Sequence, residues 1–280
     1  MPTDTSAQAI EGTDGYERFL AVRDGTPDLL RHTLSRREAL YQSLAETPLE
    51  SAYRPDRTAF LADFSRRRPR PGLDRRLLWL LAAAKSNQAE RFAVGLAELF
   101  GRMQVGDDER VLLHIHLQET YHTRILADVV ALFGLPVPVR PPALSVRALI
   151  YGLIFTPPRW HLPLTGASEM VGCVIFRALR DLGTELFAEE PEIVARIRTL
   201  FDEILGDEIS HVGYVASHLG RRGRKLMLHL YAALGLPLVT QVGELALLFS
   251  RTEWSRRLAD FDIDELITHC PHTAYAAARI

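Results

Sequence analysis

The tetrad Glu-x-x-His occurs twice in 280 residues and nowhere else, as Glu119/His122 in HIHLQETYH and as Glu208/His211 in GDEISH. On a helix, a spacing of three places the two side chains about 60° apart on one face, so a carboxylate and an imidazole can reach the same cation. One such tetrad is common on a helix surface and carries little. Two of them suggest a dinuclear metal site inside a four-helix bundle. In that arrangement two helices each supply a Glu and the other two each supply Glu-x-x-His.

The chain has the helices such a site needs. From Asp74 the pattern is strongly helical, and a first long helix runs to about Gly101–Gly106. A second covers DDERVLLHIHLQETYHTRILADVVALFG, with acidic residues in its first turn and Gly134 and Pro136 as stops. After the connector LPVPVRPPALS and a second break at TPPRW, a third helix is expected at about Thr165–Phe187. Pro191 opens a fourth that ends near Leu219, before Gly220 and Gly223. Shorter helices are expected before this core, from Thr26-Pro27 and after RPDRTAFLADFSRR. Further helices follow it, the first of them in RKLMLHLYAAL and stopped by Gly235-Leu236-Pro237. No segment alternates with a strand period. The expected class is all-α: a four-helix core at about 74–219 with additional N- and C-terminal helices, forming one domain over 21–280 behind a flexible tail at 1–20.

Hairpin geometry locates the two lone glutamates, since residues at equal height lie equally far from the turn. With a turn near Gln104–Gly106, the partner of Glu119 falls near position 90, where Glu90 stands. In the second pair the turn lies near Ala188–Pro191, and the candidates are Glu169 and Glu185. Their 16-residue separation turns them about 160° apart, so only one faces the core. The midpoint of 169 and 208 falls in the turn and that of 185 and 208 inside a helix, which selects Glu169 and leaves Glu185 on the surface.

Both tetrads continue as apolar stripes, through Leu112, Ile115, Leu126 and Val130 on one helix and Phe201, Ile204, Leu205, Val212 and Val215 on the other. Four carboxylates facing one core repel one another unless cations neutralise them. Two ferrous ions carry four positive charges and match four carboxylates with two neutral imidazoles. Oxygen and nitrogen donors suit iron or manganese better than a structural zinc, so an Fe/Fe or Mn/Fe pair is the expected cofactor.

With Glu90, Glu119-x-x-His122, Glu169 and Glu208-x-x-His211 in place, residues 74–219 resemble the ferritin-like di-iron carboxylate superfamily. The resemblance implies that these six residues are iron ligands, with Glu119 and Glu208 as bridging carboxylates. It also implies a choice among iron storage, peroxide handling and O2-dependent oxidation. The Glu90–Glu119 spacing of 29 is typical, whereas Glu169–Glu208, at 39, is long. The arylamine N-oxygenases of this superfamily carry a further His four residues before the second tetrad, where this chain has Ile204.

Around the expected ligands, Ala83, Ala93, Val94 and Ala97 lie near Glu90, and Gly172 and Cys173 follow Glu169. These small residues either leave room for an apolar substrate or permit close helix packing. His116, one turn before Glu119, is a candidate partner of a ligand or a further ligand, with a satisfied histidine as the plainer reading. Tyr121 and Tyr214 are radical candidates, with core packing as their plainer role.

The formal charge of −2 gives no reason to expect nucleic acid or an anionic membrane. Cys173 and Cys270 make no disulfide framework, and the polar N-terminus has no signal pattern, so a cytoplasmic location is expected. The longest stretch without Asp, Glu, Lys or Arg, Leu226–Gly243, is interrupted by Gly-Leu-Pro, which argues against a membrane span. The favoured function is a di-iron oxygenase or oxidase that uses O2 and an external electron donor. It would hydroxylate, N-oxygenate or desaturate a small organic molecule, with a homodimer compatible. A ferritin- or rubrerythrin-type iron or peroxide protein and a metal-free helical interaction protein are the alternatives.

Overall fold

A computed structural model describes residues 29–99 and 109–262. The expectations for the tail, for Thr26-Pro27, for the turn at 104–106 and for Cys270 lie outside these residues. Every described element is a helix: α1 (Leu29–Glu46), α2 (Arg57–Phe64), α3 (Arg75–Leu99), α4 (Glu109–Ala131), α5 (Leu144–Ile154), α6 (Pro158–Leu186), α7 (Pro191–His218), α8 (Arg221–Val239), α9 (Gly243–Leu248) and α10 (Arg251–Ala259). The chain is therefore all-α, as its patterning requires.

Four helices form the centre. α3 packs on α4, α6 on α7, α4 on α7 and α3 on α6, closing a cycle. Side-chain contacts give the register. Asn87 of α3 donates to the Thr123 carbonyl, while Glu98 meets His116, so α3 and α4 run antiparallel and Glu90 stands level with about Thr120–Arg124, beside the Glu119/His122 turn. In the second hairpin Arg180 pairs with Asp202, and Gly172 faces Glu208. Glu169 therefore stands level with His211, one turn from the height the midpoint rule predicts.

At the far end, Trp79 of α3 holds the cycle together. It is fully buried among Phe133, Phe187 and Phe201, with ring centroids 5.6–6.3 Å away, and its Nε1 donates to the Leu179 carbonyl at 2.8 Å. These residues come from α3, α6, α7 and the segments following α4 and α6, so one aromatic cluster fixes the spacing of all four helices. Gly183 is required here, because a Cβ would lie 2.5 Å from the indole.

The remaining helices wrap this centre. α1 lies on α4, α8 on α6, α9 on α3, and α10 on α8. α9 is pinned by a buried ion pair in which Lys85 Nζ donates to Glu244 Oε1 at 2.5 Å. Asp56 caps α2 by accepting from the Ala59 amide, as Asp, with its short acceptor side chain, favours.

Three boundaries differ from the sequence expectation. α6 starts at Pro158, not near Thr165, because Pro158 suits the first turn and Pro163 removes only the bond to the Arg159 carbonyl. α8 is not stopped at Gly235-Leu236-Pro237 but continues to Val239. Gly235 lets Leu258 of α10 approach within 2.9 Å of a Cβ position, and this packing outweighs the local stop signal. Between the two Pro-rich connectors, α5 forms where the sequence expectation places no element. Its Val146, Ile150 and Ile154 make a small separate core with Leu96 and Ala97 of α3.

Among the described residues, Arg159–Leu186 is the one helix long and apolar enough to cross a membrane. More than half of its most apolar 18-residue window is buried against the other helices, and it carries Glu169.

Candidate metal centre

The two tetrads meet in the middle of the helical cycle. Glu119, Glu169, Glu208 and His211 each offer a ligand atom, and these atoms all lie within 4.8 Å of one another. His122 completes the group, with Nδ1 3.4 Å from Glu208 Oε1 and 3.5 Å from Glu119 Oε2. His211 Nδ1 lies 2.9 Å from Glu119 Oε1 and 3.7 Å from Glu169 Oε2. Glu119 thus turns one oxygen towards each histidine. Glu90 lines the same cavity from α3 and feels the charges of Glu119 and Glu169. Glu185 stays outside, 69% exposed beside Arg75, so of the two glutamates the structure brings Glu169 into the cluster.

A closed network holds the imidazoles from behind. His211 Nε2 donates to Gln118 Oε1 at 3.0 Å, and Gln118 Nε2 donates to Asp207 Oδ1 at 2.8 Å. Asp207 Oδ2 accepts from His122 Nε2 at 3.2 Å and from the buried guanidinium of Arg37. Arg37 also donates to Glu203 at 2.6 Å. With both Nε2 atoms committed as donors, the Nδ1 atoms face the carboxylates. Both Nδ1 atoms are buried and make no aligned hydrogen bond, although carboxylate oxygens lie close. A buried nitrogen left in that state is what a cation-binding position requires.

Sequence reasoning did not single out Gln118, Asp207 or Arg37. The first two carry a signal in hindsight: each immediately precedes a tetrad glutamate and serves the histidine of the opposite tetrad. Arg37 carries none, since its role depends on how α1 docks on α4. His114 belongs to that docking, with Nδ1 2.7 Å from Thr33 Oγ1.

The electrostatics describe a cluster short of positive charge. Burial, then the nearby Glu119 charge, raises Glu90 to about 8. Burial and Glu169 push Glu208 well above the carboxylate range. Burial works against a charged His211, yet its contacts with Glu119 and Glu169 raise it to about 10, and Asp207, Glu119 and Glu208 raise His122 in the same way. Glu119 is held low despite burial, because both histidines lean on it. Without metal, then, protons supply the missing positive charge. Carboxylate and imidazole donors, buried and mutually repelling, fit a hard or borderline divalent cation, so this Glu/His cluster can hold a metal ion.

From the cluster opens a largely apolar cavity of about 710 Å3. Ala93, Val94, Gly172 and Tyr214 line it as expected, and so does His116, whose Nε2 is committed to Glu98 at 2.8 Å. Three sequence candidates are not brought to it. Tyr121 points to the outer side, between Arg37 and the Tyr41 ring, while Ile204 and Cys173 are buried in helix packing. Set against protein families, curated proteins and solved structures, the chain matches none.

Proposed function

We propose that the cluster holds two iron ions and that the protein is an O2-dependent oxygenase or oxidase acting on an apolar organic molecule. The observation that carries this reading is the pair of buried, unaligned Nδ1 atoms facing three carboxylates, with Glu90 in the wall of a large apolar cavity directly alongside. Glu90, Glu119, His122, Glu169, Glu208 and His211 would hold the ions, and Glu119, which turns one oxygen towards each histidine, and Glu208 would be shared between them. A pair of ferrous ions supplies the electrons and coordination positions for reductive activation of O2. A manganese/iron pair suits the same donors.

The chain's own groups fix the site. Asp207 and Gln118 orient the imidazoles, and the cavity beside the cluster presents a largely apolar wall. The cavity favours oxidation of an organic molecule over iron storage, for which a space of this size and polarity has no use. An external electron donor would complete each turnover.

Metal analysis of protein grown with iron, paired with O2 uptake by the anaerobic ferrous form, tests the reading. About two irons per chain and rapid O2 consumption are expected, as for a Glu4His2 site, with both lost in Glu119→Ala and His211→Ala. Protein that binds no iron, or whose iron survives both substitutions, overturns it.

A further inference from the structure

The cavity is long, and the cluster sits at its middle. Its lining on α6 runs from His161 to Phe176, about 22 Å of helix, with Glu169 about 12 Å from one end and 10 Å from the other. α3 runs antiparallel to α6, since Trp79 abuts Gly183, and this places Ala97 at the His161 end beside α5. α8 follows α6 in the same direction, since Met227 abuts Gly166 and Tyr231 lies by Cys173. Leu238 therefore falls at the Phe176 end. The cavity thus extends in both directions past the carboxylates, walled by apolar side chains on either side.

We propose that its occupant is an unbranched apolar chain of about 12–18 carbons lying across the carboxylate cluster, so that interior carbons and not an end group face it. The inference deepens the oxidation reading and rests on it for what happens to that chain. The volume admits such a chain: at about 30 Å3 per water-sized group, 710 Å3 holds about 24 of them. A zigzag chain advances about 1.3 Å per carbon with bonds near 1.5 Å, so about 17 carbons span the 22 Å lining. A compact aromatic molecule at the cluster would leave both arms empty, and their walls would lose contact atoms without replacement.

Straight-chain primary alcohols of six to eighteen carbons, competed against a fluorescent apolar probe on the full-length metal-free protein, test this. The dissociation constant should fall about fourfold for each added methylene and then level off between 12 and 18 carbons. Ala97→Phe at one end and Leu238→Trp at the other should each shorten the plateau by several carbons while helical circular dichroism is unchanged. The wild-type series decides alone should either variant misfold. Naphthalene binding as tightly as an alcohol of equal carbon number overturns the proposal, as does a plateau shortened from one end only. The metal-free design separates the two claims. Length-dependent binding by a protein that takes up no iron sinks the oxidase reading and keeps this one, and iron uptake without length dependence does the reverse.

Discussion

Replacing Asp207 by Asn removes one negative charge and almost no volume from the centre of the buried network. Asp207 is 1% exposed and accepts from Arg37, Gln118 and His122. An Asn can still accept from Gln118 through its carbonyl oxygen. Its amide, however, faces two donors, so the contacts with Arg37 and His122 are lost. A hydrogen bond to a charged group contributes about 1.5–3 kcal/mol and a neutral one about 1 kcal/mol. Arg37 keeps Glu203 at 2.6 Å, which prevents the full cost of stranding a buried cation. The expected loss is about 3 kcal/mol, or a fall in Tm of about 6–12 °C for a chain of this size. The same substitution frees the His122 ring, so affinity for ferrous iron should fall about 10–100-fold. Thermal melts of the metal-free protein and iron titrations of Asp207→Asn read the two effects separately. Glu203→Gln is the control: it weakens the Arg37 anchor, leaves His122 held, and should cost about 1 kcal/mol with iron affinity unchanged. An Asp207→Asn protein with wild-type Tm and iron affinity would refute the role given to the network.

The metal-free protein should lose stability as pH rises from about 5 to 9. Glu90, raised from 4.5 to about 8, and His211, raised from 6.5 to about 10, both hold protons more tightly folded than unfolded, so unfolding releases them. Melts across that range check this, and saturating ferrous iron should flatten the slope by replacing those protons. Gly172→Ala places a Cβ 3.1 Å from Glu208 Oε2, displacing the carboxylate while improving helix propensity by about 1 kcal/mol. Calorimetry should show weaker iron binding at an unchanged or higher Tm. Gly183→Ala drives a methyl to 2.5 Å from the rigid Trp79 indole and should lower stability by about 1–3 kcal/mol, seen as a lower urea midpoint with iron affinity preserved.

The cluster was legible in the sequence because its side chains obey two simple periods. Helical spacing put each Glu beside its His, and equal height in a hairpin pointed to Glu90, which lines the cavity, and to Glu169 in place of Glu185. What helical period cannot see is how helices dock sideways. Arg37 reaches Asp207 only because α1 lies on α4, and nothing in SRREAL distinguishes it from its neighbour Arg36, which pairs with Glu203 nearer the surface. Tyr121 failed for a related reason. It neighbours Glu119 in sequence but sits two residues on, about 200° round the helix. Local stop signals misled at TPPRW and at Gly235-Leu236-Pro237, where tertiary contacts decide. Helix α5 was hidden between two proline-rich segments, although its apolar face now roofs the cavity.

The network behind the imidazoles repeats one design twice with one change. Each tetrad glutamate is preceded by the residue that holds the other tetrad's histidine, yet one of those residues is the anion Asp207 and the other the neutral amide Gln118. His122 therefore leans on a full negative charge, itself tethered by Arg37, and His211 on a dipole. Two ions held here would be inequivalent: the one beside His122 would meet the more electron-rich imidazole and favour the higher oxidation state. The local two-fold pattern of the tetrads is broken one hydrogen bond further out, so the two histidines are electronically unlike although their sequence settings match.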